Sequence, residues 1–378
     1  MNPKPCLLLM LLLGAPPSYG LAAERCGDGM GGGIGGMGGM GGTGATDQRE
    51  SPTAPSPLPA PSGGIGGTGL TPLPAGSHVA FVGVITRFGS ICVNGDRLQY
   101  DDKTPTLYNG RPGHARDLHI GQVVRAEAVV GATDLQATRI GVIDAVSGPV
   151  TRREEAMRRF WIMGQRVQLD DDTAIGISGP TVPEIGTPVR ASGLMTLDGG
   201  LVASRIERAE LLEAALVTGR LTELDGRAAE VGTVRVRLPA NAASLPLAPG
   251  REVSVFGRWT GEMLEADTVD FEPRFAFAVP PDLVSVEGFV HGCTDGAGIG
   301  LDGIDLRAPP GLDMGARPGS AVVVVGVPRP DGGLTALRFL PAGPRAPVVS
   351  APADPDSANR IRTLTRCQPR LAPARTTP

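Results

Sequence analysis

Imidazole is the side chain best suited to acid–base work near neutral pH, and this chain has only four: His78, His114, His119 and His291. His114, Asp117 and His119 share one short stretch and could together hold a metal ion that serves a hydrolase. Plain exposure accounts for two histidines in a polar loop just as simply. Asp170, Asp171 and Asp172 could offer oxygens to calcium, but they lack the alternating Asp-x-Asp-x-Asp-Gly pattern of a calcium loop and read as a solvated turn. Met30, Met37 and Met40 could offer thioethers to copper(I), yet they stand as spacers in a glycine tract. The run GIGGMGG in that tract imitates a dinucleotide loop without a strand before it or a helix after it. Only Lys4 and Lys103 are lysines, so a Schiff base would fall on Lys103. Trp161, Trp259, Tyr100 and Tyr108 could stack on a sugar ring or fill apolar cores. There is no HExxH, P-loop or Gly-x-Ser-x-Gly elbow. We therefore assign no catalytic, cofactor or metal residue and expect a protein that is not an enzyme.

The cysteines speak to compartment. Lys4, the apolar run Leu7 to Leu13 and the small residues Gly20 to Ala23 make residues 1–23 a secretory signal. Behind it stand Cys26, Cys92, Cys293 and Cys367, an even number that an oxidising compartment permits to pair in any of three ways. Free buried thiols fit these residues equally well. A lipid anchor on Cys26 is disfavoured, because Glu24-Arg25 occupies the place of small residues. No later apolar run is long enough to span a bilayer. Net charge is -4 and aromatics are 4%, which disfavours nucleic acid as a partner.

What must position any site is a fourfold repeat. Three landmarks recur in order about 65 residues apart. They are a glycine in a strand-like run (Gly83, Gly148, Gly219, Gly288), a glycine ahead of a valine-rich run (Gly121, Gly186, Gly250, Gly319) and a Leu-x-Ala triplet starting at Leu135, Leu201, Leu264 and Leu334. In the first unit, strands over 79–88, 90–93, 96–100, 122–130 and 135–143 are expected, with the hairpin signal Asn94-Gly95 and a loop over 101–119 holding a helical turn near Ala115. The fold class is therefore all-β, four tandem five-stranded OB-like barrels or rolls. The expected division is 1–23 signal, 24–77 Gly/Pro-rich disordered linker, repeats at 78–145, 146–212, 213–280 and 281–340, and a disordered Pro/Arg-rich tail at 341–378. Each unit is too small to be secure alone, so successive units should pack along the chain. TRREEAMRR (151–159) is helical by propensity, but the repeat register puts it in the first hairpin of unit two.

The stretches GGIGGTG (63–69), GVITRFGSICVNGDRLQYDD (83–102), NGRPGHARDLHIGQVVRAEA (109–128), LQATRI (135–140) and SGPV (147–150) resemble exported bacterial proteins carrying domain-of-unknown-function family 5666 (DUF5666). The resemblance is strongest over unit one and the joint into unit two. It implies a signal peptide, a glycine-rich leader and tandem small β domains, and it brings no activity and no functional residues. The expectation is an exported, periplasmic or extracellular envelope protein, not an enzyme, whose barrels present a surface to an envelope protein, a glycan or a small ligand. A purely structural spacer is the alternative from a different class.

Overall fold

The computed structural model describes residues 19–20, 26, 71–179, 181–209, 214–292, 299–302, 304–309, 312 and 318–342. The expected signal segment apart from Tyr19 and Gly20, the expected tail after Ala342, nearly all the glycine-rich leader, Cys293, Cys367, Met30, Met37 and Met40 lie outside the described residues. Apart from the main body, Tyr19–Gly20 pairs in parallel with Thr71–Pro72. Among the described residues, regular structure is strand plus three single-turn 3-10 helices.

Barrel one is built from His78–Arg87, Ile91–Val93, Asp96–Gln99, Val123–Val130 and Leu135–Val142. The first strand pairs with the second and the second with the third. The third runs parallel to the fifth, the fifth lies antiparallel to the fourth, and the fourth returns to the first. That cycle leaves no open edge, and its order is that of an OB-like barrel. The same five pairings close barrel two (Val146–Glu154, Arg159–Ile162, Gln165–Gly176, Pro188–Met195, Leu201–Arg208). They close barrel three (Ala215–Asp225, Ala228–Val231, Val234–Arg237, Glu252–Trp259, Leu264–Phe271). They also close barrel four (Leu283–Gly292, Ile299–Leu301, Ile304–Arg307, Ala321–Pro328, Leu334–Pro341). The stretch 151–159 is the tip of barrel two's first hairpin, turned by Glu155–Met157 and by Arg158 at φ 49°. Barrel closure overrides the local helical preference there.

Each landmark has a mechanical reason. Asn94, Met163 and Asp302 open their hairpins at φ 56°, 51° and 46°, which folds their side chains back over the first strand. A Cβ on Gly83 would stand 2.0 Å from Asn94 Oδ1, and one on Gly148 would stand 2.5 Å from Met163 Sδ. Gly121, Gly186, Gly250 and Gly319 all sit at φ 86–89°, where only glycine is unstrained. Each donates its N–H to a first-strand carbonyl, of Ile85, Val150, Leu221 and Val290 respectively. Leu135, Leu201, Leu264 and Leu334 are the residues at which the fifth strand meets the third.

Successive barrels pack against one another as expected, and barrel four in addition turns back onto barrel one. Leu283–Val286 pairs in parallel with Val79–Val82, while the first strands of barrels two and three pair at Val146–Ser147 and Leu216–Val217. Within His78–Arg87, Val79, Phe81 and Ile85 enter barrel one's core, whereas Ala80 and Val82 enter the core of barrel four. Burial on both faces gives such a strand its unbroken apolar run. Barrels two and three share a single core. The ring closes through polar joints. Ser204 Oγ donates to Gly121 O at 2.5 Å between barrels two and one. Arg220 Nε donates to Asp302 O at 3.1 Å between three and four. Val84 N donates to Glu287 Oε2 at 3.0 Å between one and four. Leu194 and Val202 of barrel two meet Phe289 of barrel four across the ring. The return of barrel four is guided by the joint after barrel three: Pro273 O accepts from Arg125, and Ala278 N donates to Glu127 Oε2, both of barrel one.

Candidate functional site: an arginine-lined cavity where three barrels meet

The second Asn-Gly pair of the chain builds one wall of a cavity of about 610 Å3. Asn109 and Gly110, at φ 50° and 81°, turn a short hairpin, Thr106–Tyr108 with Arg111–Gly113, which lies beside barrel one's fifth strand. The hairpin brings Tyr108 and Arg111 to the cavity. Tyr108 packs against Gly113, where a Cβ would stand 2.4 Å from the ring, and its hydroxyl donates to His114 O at 3.3 Å. The turn Ala115–Asp117 and the residues behind it add Asp117 and His119. Barrel two contributes Arg190 from its fourth strand and Arg205, Glu207 and Arg208 from its fifth; barrel three contributes Leu216 and Phe256. Strand alternation explains Arg205 and Glu207, which take the face opposite the buried Ile206, and Arg208 joins them at the exposed end of the strand.

Charge is the cavity's main chemical feature. Four arginines face two carboxylates, a positive balance on a chain whose net charge is -4. Glu207 lies 2.7 Å from Arg205 Nε and 3.5 Å from Arg190 Nε, and Arg205 also donates to Ile120 O at 3.1 Å. Arg111 and Arg208 are exposed and have no acidic partner among the described residues. Burial, then the charges of Asp117 and Glu207, pushes the Tyr108 phenol well above its ordinary value and keeps it protonated. Behind Asn109, Asp144 accepts from Asn109 Nδ2 at 2.8 Å and Ser192 Oγ at 3.2 Å. Burial pushes its carboxyl up against the pull of those bonds.

The residues singled out in the sequence are dispersed. Asp117 and His119 line the cavity, whereas the exposed His114 contributes its carbonyl to Tyr108. Among the described residues, no group of three His, Cys, Asp or Glu is placed to hold a metal ion. His78 is exposed at the head of barrel one and His291 is buried in barrel four. Asp170 Oδ1 accepts from Asp172 N at 3.1 Å and Thr173 Oγ1 at 2.8 Å. Asp101 does the same for Lys103 and Thr104; the acidic triplet is therefore not a free turn but an irregularity within the strand Gln165–Gly176, at the register shift between Leu169 and Ala174, with the hydrogen-bond pattern of the barrel-one turn. Trp161 carries Arg152 over its ring at 4.2 Å, Trp259 packs against the joint core of barrels two and three, and Tyr100 packs against the core of barrel one. Arg111, Arg190, Arg205 and Arg208 were not singled out in the sequence, because arginine stands for nearly every base in this chain and offers no contrast. The readable signals were Asn109-Gly110 and the alternating Arg205-Ile206-Glu207.

Cys26 and Cys92 form a disulfide, with Cα atoms 6.2 Å apart, and Cys26 N donates to Gly95 O at 3.0 Å. The cross-link ties the leader to the first hairpin of barrel one. Residues 141–207 match DUF5666, a domain of unknown function. The match falls on barrel two and the joint before it; of the stretches that carry the resemblance it includes SGPV (147–150), while those of unit one lie outside it. No curated protein and no solved structure matches the chain. Among the described residues, no helix is long and apolar enough to cross a membrane.

Proposed function

We propose that the protein is an exported, non-enzymatic binding protein of the cell envelope, with the cavity between barrels one, two and three as its ligand site. The observation that carries this reading is the cavity itself. It has the size of a small-molecule or oligosaccharide site, and its walls come from elements of three barrels that strand pairing and polar joints link into a ring. Its polar groups suit recognition: the guanidinium groups offer several donors in a fixed fork, and the Tyr108 phenol stays protonated. Export is supported by the Cys26–Cys92 disulfide, since such bonds persist in oxidising compartments. A sulfur committed to that bond is unavailable for a lipid thioether, which favours a protein without an anchor at Cys26.

The test is a thermal-shift screen of the whole oxidised chain against envelope glycans and small metabolites, each hit being followed for turnover. A ligand that raises the unfolding midpoint, is recovered unchanged and loses its effect in Tyr108→Ala supports the reading. Chemical conversion of the hit would overturn its non-enzymatic part, and a screen without a single hit would overturn the whole.

A further inference from the structure

Resting on that reading of the cavity as the ligand site, we infer that the ligand is a small organic anion. Its carboxylate or phosphate is held by Arg111 and Arg208, and its uncharged body rests on Tyr108 and Phe256. The four arginines divide into two kinds. Arg190 and Arg205 share Glu207, and Arg205 is further tied to a backbone carbonyl; these two position the wall. Arg111 and Arg208 reach the same cavity from different barrels, are exposed, and have no acidic partner among the described residues. A guanidinium left without a carboxylate in a concave site is a ready partner for a planar or tetrahedral oxyanion, through paired charge-assisted hydrogen bonds. Concentrating positive charge in one recess of an acidic chain also draws anions there preferentially. The rest of the lining offers ring surfaces as well: Tyr108 is fixed over Gly113 and Phe256 stands on the barrel-three wall. A bare inorganic ion would leave those ring surfaces unused, whereas an anion with a ring or chain attached covers them. The volume leaves room for such a body and is too small for a folded partner.

Titration calorimetry on the whole protein at low salt separates the chemistries, with glucuronate, glucose 6-phosphate, glucose and inorganic phosphate as probes. Glucuronate, glucose 6-phosphate or both should bind, each at least about tenfold more tightly than glucose or inorganic phosphate, and the stronger of the two identifies the anionic group. Arg111→Ala with Arg208→Ala should weaken that binding about tenfold or more, and raising the salt to about 0.5 M should weaken it further. Glu207→Gln should act in the opposite sense and tighten it, because it releases Arg190 and Arg205 from their carboxylate. An unchanged thermal midpoint in the double variant shows that its loss is not unfolding. The inference is overturned if glucose binds as well as its charged relatives, if the double arginine variant binds normally, or if no anion binds. Glucose binding that survives the arginine changes and is lost in Tyr108→Ala would leave the binding reading standing while removing the anion.

Discussion

Gly83 and the side chain of Asn94 occupy one space between them. The Asn94 amide, folded back by its left-handed turn, donates to Val82 O at 3.2 Å and to Ser285 O of barrel four at 3.1 Å. Gly83→Ala would drive a methyl into that amide and strain both the hairpin and the joint. A loss of about 1–3 kcal/mol in urea unfolding is expected, and a loss below about 0.5 kcal/mol would contradict this packing. A second residue effect concerns pH. His291 is 1% exposed; burial, then the charge of Arg220, holds its imidazole below the ordinary 6.5. The folded protein keeps it neutral where the unfolded chain takes up a proton. Its contribution is therefore whole above pH 6.5 and declines as pH falls below that value. Stability measured by urea between about pH 7.5 and 5.5 should fall by up to about 1.4 kcal/mol per pH unit from this group. His291→Gln should flatten the slope, and an unchanged slope would refute the assignment.

At the scale of the element, the repeat made the strands legible before their packing. Gly121, Gly186, Gly250 and Gly319 marked the start of every fourth strand because each needs a positive φ, and the Leu-x-Ala triplets marked the parallel contact that closes each barrel. Local chemistry of this kind is written in a few adjacent residues. The hairpin turned by Asn109-Gly110 reads as loop in the sequence, because its strands are three residues each and one contains Pro112. A further recurring device went unread. Gly193, Gly257 and Gly326 each sit at a register shift between the fourth and fifth strands, where a Cβ would press on a carbonyl oxygen at 2.1, 1.9 and 2.7 Å. Barrel one manages the same shift with Ala128, so the pattern is broken in the unit that is otherwise plainest. Gly257→Ala should therefore cost more than Gly319→Ala. The first meets backbone, while the second meets nothing within 4 Å and bears only the strain of φ 87°. We expect about 2–4 kcal/mol against about 1 kcal/mol. Urea midpoints showing the reverse order would count against the bulge.

The ring is a property of the whole molecule, and the sequence concealed it for a physical reason. The groups that close it are single buried polar residues far apart in the chain, such as Glu287 reaching Val84 N and Arg274 lying between Glu252 and Asp302. Burial works against the charge of Arg274, but Asp302 and Glu252 outweigh it and hold the guanidinium protonated. Burial also raises the Asp302 carboxyl, and Arg274 and Arg220 outweigh that too, holding it below the usual carboxylate range. Glu287, Arg274 and Glu252 belong to no periodic pattern, and the recurring turn position of Asp302 does not foretell its partner Arg274. A linear array of repeats unfolds piecemeal when its neighbour contacts are weak, whereas a ring with shared strands and shared cores should unfold as one. The chain carries its own probe, because both tryptophans, Trp161 and Trp259, lie in barrels two and three and none lies in barrels one and four. The decisive measurement is equilibrium urea unfolding of the oxidised protein, followed at once by tryptophan fluorescence and by far-ultraviolet circular dichroism. The closed ring predicts one transition with the same midpoint and slope by both probes. A fluorescence transition separated from that of the whole chain would show that the two barrel pairs fold apart, and the cavity would lose the rigid frame on which its reading depends.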